Sequence, residues 1–145
     1  MLNYEKNNRN IKIEISKRKT PEAEYVFANF YGTDVKILKI NDSFSTKLLA
    51  CTTRNKIAYR DFYDVYFYLK KGIIPNEKII KNITGKNLKS YLIYLVNFIK
   101  KNIINRSVFH GVGELVNEKQ KYWIKPNLKK DLINRLNFLI NQLNQ

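Results

Sequence analysis

The chain has 145 residues, of which 44% are hydrophobic and 13% aromatic. This length favours one domain, and this apolar content is enough for a core, which excludes a globally disordered chain. Lys and Arg number 27 against 12 Asp and Glu, so the formal net charge is +15. Such an excess is larger than solubility needs and favours a polyanionic partner, a nucleic acid or a nucleoprotein complex. The open alternative is a lysine-rich surface that only contacts solvent.

Cysteine usage and the longest apolar runs predict where the chain resides. Its single cysteine, Cys51, excludes an internal disulfide and predicts the reducing cytoplasm. We expect this thiol to be buried and inert rather than nucleophilic. Residues 1–10 contain no apolar segment of a signal peptide, and the apolar run at 91–99 is too short to cross a bilayer. We therefore expect no membrane partner.

Strand patterns come first along the chain. Residues 1–9 are polar and predict a frayed tail. Residues 10–16 alternate, with isoleucines on one face, and predict a strand. Residues 24–31 and 35–40 predict two further strands, joined by a turn at Gly32, Thr33 and Asp34.

Helical periodicity replaces strand alternation from Asp42 onward. A first helix is predicted over 43–53 with Asp42 or Ser43 as its N-cap, and a second over 60–69. The others are predicted from Pro75 to 83, over 87–104, and from Pro126 onward. The fold class is therefore α+β, a small N-terminal sheet followed by a helical bundle. We expect a single domain over 1–145, with a tail (1–9), strands (10–41) and a bundle (42–145).

Four sequence features occur in a fixed order in the first half of the chain. They are I-K-I-E-I at 11–15, T-K-L-L-A at 46–50, Arg54, and R-D-F-Y-D at 60–64. This order resembles the second half of AbiEii/AbiGii-type toxin nucleotidyltransferases. The motifs cover about residues 11–70, and the remainder agrees only in helical character. The resemblance implies a partial nucleotidyltransferase-like fold.

The resemblance assigns expected roles to four residues, each with a structural alternative. It implies that Glu14 completes a metal site, that Lys47 contacts nucleotide phosphates, and that Asp61 and Asp64 orient the lysine or the nucleotide. Alternatively, Glu14 is an exposed strand residue and Lys47 a solvated one. For Arg60 and the two aspartates we favour a structural ion-pair network between the helices, because the metal-binding acids are missing.

The upstream metal-binding motif of the family has no counterpart here. In the family, a G-S turn and a D-x-D acidic pair precede the strand that matches residues 11–15. The ten residues before that strand in this chain contain neither pattern. The sole histidine, His110, has no acidic or cysteine cluster at ligand spacing. We therefore expect no metal site and no cofactor. Mg²⁺ and a nucleoside triphosphate enter only if another chain supplies the missing acids.

Basic residues are concentrated in one segment. Between residues 70 and 106 the only acid is Glu77, and Tyr68, Tyr91 and Tyr94 are candidates either for base stacking or for the core. We therefore expect a non-catalytic, nucleotidyltransferase-like module that binds a polyanionic partner, for example a mobile-element antagonist of a host defence system. The alternative is part of an AbiEii-like toxin. The candidate partner-binding residues are Lys70, Lys71, Lys78, Lys81, Lys86, Lys89, Lys100, Lys101 and Arg106.

Overall fold

The predicted α+β arrangement is present. The computed structural model describes residues 20, 22–103, 112 and 116–143. The predicted strand at 10–16, with Glu14, lies outside them, as do His110 and Arg106. The elements are β1 (Tyr25–Phe30), β2 (Thr33–Leu38), α1 (Ile40–Thr53), α2 (Tyr59–Lys70), α3 (Glu77–Thr84), α4 (Leu88–Asn102) and α5 (Glu118–Gln142).

β1 and β2 form an antiparallel hairpin whose turn is Tyr31–Gly32. Both turn residues have positive φ, 47° and 82°, as a two-residue type I′ turn requires. The prediction that Thr33 and Asp34 belong to the turn is wrong. The Asn29 side chain accepts from the Gly32 N–H at 3.0 Å and donates to Asp34 Oδ1 at 3.1 Å, which closes the turn early. Thr33 and Asp34 therefore pair within the ladder.

The start of α1 differs from the prediction. Lys39 is the N-cap residue, and no side chain caps this helix, so the expected cap by Asp42 or Ser43 is wrong. Asp42 is buried and accepts from the Glu24 N–H at 2.6 Å and from Asn76 Nδ2 at 2.8 Å. Its carboxylate therefore joins the segment before β1 and the N-cap of α3 to α1.

The apolar residues of α4 recur with a 3.6-residue period, which predicts one inward face, and burial confirms it. Tyr91 is 1% exposed, so it is a core residue. Its hydroxyl donates to the Leu48 carbonyl of α1 at 2.7 Å and lies 2.9 Å from Thr52 Oγ1, and burial raises its pKa. The buried positions of this stretch are Leu88, Tyr91, Leu92, Leu95, Val96, Ile99 and Ile103.

α5 begins well before the predicted start at Pro126. A capping box between Asn117 and Gln120 fixes its N-terminus, and Pro126 lies inside the helix. Ile124 and Leu128 are both buried one turn apart, so packing on either side of the proline holds the helix together. The 3.6-residue period predicts that one apolar stripe of this helix is inward, formed by Leu128, Leu132, Leu136, Leu139, Ile140 and Leu143. The first five are buried, but the prediction is wrong for Leu143, which lies just past the end of the helix and is 40% exposed.

No helix in the described part of the chain combines the length and the apolar character that a membrane span requires.

The apolar face of α2 generates a stability prediction. Phe62 is 2% exposed, whereas Phe67 on the same helix is 47% exposed. We expect Phe62→Ala to lower the free energy of unfolding by about 3–5 kcal/mol, because it removes a buried ring and leaves a cavity. Phe67→Ala is the control and should cost less than about 0.5 kcal/mol. Urea denaturation measures both, and equal midpoints for the two variants would contradict the assignment of this face to the core.

Candidate functional site

The residues of the family motifs meet where α1 packs against α2. Lys47 lies on α1, and Asp61 and Asp64 lie three residues apart on α2, which places them on one face. Lys47 Nζ is 2.7 Å from Asp64 Oδ2 and 3.8 Å from Asp61 Oδ1. The structure therefore brings together three of the four residues to which the family resemblance assigns roles.

Arg54 is the fourth member of this cluster. It follows the end of α1, and its Nε lies 2.6 Å from Asp61 Oδ2, without hydrogen-bond geometry. Its Nη2 donates to Asp61 Oδ1 at 3.3 Å. The expectation that Arg60 pairs with the aspartates is wrong, because its neighbour Asp61 points to the helix interface while Arg60 is exposed. In the sequence, Arg54 could have been recognised as a partner of the aspartates because it is one of the four features that occur in the family's order.

Burial and charge define what this cluster can bind. The Asp61 side chain is fully buried, whereas the side chains of Lys47 and Arg54 are 36% and 41% exposed. Two cations balance two carboxylates. The exposed parts of the cations can contact an anion such as a phosphate, but they do so beside carboxylates that already neutralise them.

The described residues do not fit a pair of Mg²⁺ ions. They contain no group of three or more His, Cys, Asp or Glu side chains that can hold a metal. Mg²⁺ needs accessible carboxylate oxygens. The Asp61 oxygens are buried against Arg54, and Asp64 Oδ2 is bound by Lys47.

Cys51 lies one helical turn after Lys47 and is buried, as expected. Its thiol donates to the Lys47 carbonyl at 3.4 Å. Burial raises the pKa of this thiol, and the nearby carboxylates of Asp61 and Asp64 raise it further. A thiol with a raised pKa and no access to solvent is a poor nucleophile.

The predicted basic residues are separated into several places, and Arg106 lies outside the described residues. Lys78 and Lys81 of α3 line an open groove of about 510 Å³ with Glu22 and Gly85. Lys70 instead lies at the groove between α2 and α5. The eight predicted partner-binding lysines within the described residues are all exposed. We call them together the lysine surface: Lys70, Lys71, Lys78, Lys81, Lys86, Lys89, Lys100 and Lys101.

The three tyrosines considered for base stacking differ in environment. Tyr91 is in the core, and the Tyr68 ring is stacked on Phe44 with centroids 5.0 Å apart. The Tyr68 hydroxyl lies 2.8 Å from Ser43 Oγ, so this residue is also part of the α1–α2 packing. Tyr94 is 45% exposed and is the one of the three whose ring is accessible.

The cluster predicts unequal costs for neutralising its two aspartates. We expect Asp61→Asn to lower the free energy of unfolding by about 1–3 kcal/mol, because a buried charge-assisted contact is lost. The cost stays below that of breaking a fully buried pair, because water can solvate the half-exposed Arg54. Asp64→Asn is the matched control and should cost less than about 1 kcal/mol, because its pair with Lys47 is partly exposed. Chemical denaturation measures both values, and a larger cost for Asp64→Asn would contradict this ranking.

Comparison with known proteins agrees with the motif order. A family model described as the nucleotidyl transferase AbiEii toxin of type IV toxin–antitoxin systems matches residues 3–121. A search of curated proteins and a search of solved structures each found no match. The matched range includes the clustered Lys47, Arg54, Asp61 and Asp64, and it extends beyond the motif-bearing residues 11–70 into α5. The chain belongs to the AbiEii nucleotidyltransferase toxin family.

Proposed function

We propose that this chain is a nucleotidyltransferase-family binding module that holds a polyanionic partner, a nucleic acid or a nucleoprotein complex, on the lysine surface. We further propose that it does not transfer nucleotides by itself. The observation that carries the proposal is the exposure of the eight lysines and their lack of ion pairs with acidic residues within the described ranges.

Three described acidic residues lie near these lysines, and none forms an ion pair with them: Glu22, Glu77 and Asp131. Glu77, the one acid of segment 70–106, accepts the Leu88 N–H at 3.0 Å and so joins α3 to the start of α4. Asp131 pairs with Arg135 at 3.1 Å. The charge of the lysine surface is therefore not balanced by these carboxylates, and it remains available to the phosphates of a partner.

Helix dipoles separate the lysines into two kinds. Lys70 and Lys100 lie in the last turns of their helices, where the dipole favours cations, so folding accounts for part of their placement. Lys78 and Lys89 are the second residues of α3 and α4, where the dipole disfavours cations. Their positions do not help the helices, and this supports a role in binding rather than in folding.

Salt titration with charge-reversed variants tests the lysine surface. Binding of RNA or duplex DNA should weaken with salt, with a log–log slope of about −0.7 to −0.9 for each phosphate contact. Replacing Lys78 and Lys81 by Glu should reduce affinity and flatten that slope by roughly 1.4–1.8, because two contacts are lost. The melting temperature should hardly change, since exposed charges contribute little to stability.

The matched control makes the same charge change elsewhere, with Lys36 of β2 and Lys125 of α5 replaced by Glu. Both control lysines are exposed and lie outside the lysine surface. An equal loss of affinity in the two double variants would show that only net charge matters. Binding that is absent, or insensitive to salt, for RNA, duplex DNA and nucleoprotein complexes would overturn the proposal.

A second candidate function is a nucleotidyltransferase toxin whose metal-binding acids come from another chain. The assembled cluster of Lys47, Arg54, Asp61 and Asp64 favours it. In this alternative the half-exposed cations contact the phosphates of a nucleoside triphosphate, and the aspartates hold those cations in position. The two candidates differ in which residues bind: the cluster in the second, the lysine surface in the first.

A transfer assay tests whether the chain is catalytic by itself, and nucleotide binding separates the two candidates. We expect the purified chain with Mg²⁺ and labelled nucleoside triphosphates to label neither tRNA nor protein, because two-metal phosphoryl transfer needs clustered, accessible carboxylates. Polyanion binding should survive Lys47→Ala. Incorporation of label that is lost in Lys47→Ala and in Glu14→Ala, but retained in the control Lys125→Ala, would overturn the proposal that the chain does not transfer nucleotides by itself. Binding of a nucleoside triphosphate that is lost in Lys47→Ala, but retained in Lys125→Ala, would favour the second candidate.

A further inference from the structure

An aromatic groove lies between α2 and α5, at a different place from the charged cluster. It has a volume of about 500 Å³, and we call it the α2–α5 groove. It arises because Tyr63 and Tyr66, three residues apart on α2, lie on the face that packs against α5. Its principal lining residues are Tyr63, Tyr66 and Trp123 as aromatic rings, with Lys70, Lys119 and Arg135 as cations.

The three rings form a continuous row. The centroids of Tyr66 and Trp123 are 5.2 Å apart with the planes inclined by 37°, and those of Tyr63 and Tyr66 are 6.3 Å apart with an inclination of 32°. Tyr66 is 8% exposed, whereas Trp123 is 37% exposed and Tyr63 is half-buried. The middle ring therefore supports two outer rings that retain accessible surface. Accessible aromatic faces held by packing are what base stacking requires.

Charge in the groove favours an anionic occupant. Arg135 pairs with Asp131 at 3.1 Å and lies 5.4 Å from the centroid of the Tyr66 ring. Lys70 and Lys119 are exposed, and neither has an acidic partner among the described residues. Three cations against one carboxylate leave the groove with a positive charge.

We propose that the α2–α5 groove binds single-stranded nucleic acid, with bases stacked on Tyr63 and Trp123 and phosphates held by Lys70 and Lys119. Bases within a duplex are already stacked on one another, so only an unpaired strand can use the rings. An acidic protein segment would satisfy the lysines and leave the accessible rings without a planar partner. The inference rests on the proposed function and adds a base-binding site, because Lys70 belongs both to this groove and to the lysine surface.

The single tryptophan of the chain gives a direct readout, because Trp123 is the one Trp in the sequence and it lines the groove. The full chain is titrated with oligouridylate and with an abasic oligomer of the same length and charge. We expect oligouridylate to quench the Trp123 emission and to bind roughly 5- to 150-fold more tightly for each base that stacks. The abasic oligomer should bind through its phosphates and leave the emission unchanged.

Matched variants locate the effect in the groove. Tyr63→Leu removes the ring but keeps an apolar side chain, and it should weaken oligouridylate binding by roughly 5-fold or more without affecting the abasic oligomer. Tyr63→Phe retains the ring and should bind as the parent does. Tyr122→Leu removes an 81% exposed ring outside the groove and should have no effect. If Tyr63→Leu does not fold, Lys119→Glu at the exposed rim should weaken oligouridylate binding at an unchanged melting temperature.

The results of these titrations show whether the groove proposal fails alone or together with the proposed function. Equal affinity for both oligomers with unchanged Trp123 emission would overturn the groove proposal and leave the polyanion proposal standing. Absence of binding to either oligomer and to duplex DNA would overturn both. Quenching by polyglutamate without quenching by oligouridylate would identify an acidic protein segment as the occupant, and would overturn the assignment to nucleic acid.

Discussion

The neutralisation of one buried carboxylate is the constraint on which the helical arrangement depends. Asp61 has no exposed side-chain surface, and an ionised group in that position must be paired to be tolerated. Its partners come from two places, Lys47 within α1 and Arg54 just after it. The pairs therefore fix the path of the chain between α1 and α2 as well as the contact between the helices. Around α1, Asp42 and Tyr91 make the corresponding polar links to α3 and α4.

Cations in this chain serve two separate purposes. Lys47 and Arg54 are matched by carboxylates, so their cluster adds nothing to the formal net charge of +15. Within the described residues, the lysine surface is exposed and unpaired, and the contribution of such charges to folding stability is small. Stability and the proposed polyanion binding would consequently depend on different residues. Under the proposed function, this separation would let a family member keep its motif cluster while its surface charge binds a partner.

Local sequence patterns predicted the features that depend only on residues close together in the chain. The inward face of α4 follows directly from a 3.6-residue period, and Gly85 ends α3 with a φ of 71°. Predictions failed where a distant contact decided the outcome. Asp42 resembles an N-cap residue, but it bonds to Asn76 and to the Glu24 backbone instead. Pro126 resembles a helix start, but packing on both sides of it extends α5 towards its capping box.

The candidate site was predictable only where it depends on local helical spacing. Asp61 and Asp64 share a face because of helical spacing, whereas the identity of their arginine depends on how the chain leaves α1. The α2–α5 groove could not be predicted, because Trp123 and Tyr66 are far apart in the sequence and meet only through packing. Nothing in the local pattern of either helix marks the other as its neighbour.

The motif R-D-F-Y-D therefore determines more than the cluster for which it is recognised. Its two aspartates face α1, Phe62 enters the core, and Tyr63 lines the α2–α5 groove. One helix thus carries the family cluster on one side and the aromatic rings on another. Because the pairing of Asp61 sets the position of α2, it also sets the separation between Tyr63 and Trp123. The proposed binding role of the groove would therefore depend on the structural role of the cluster.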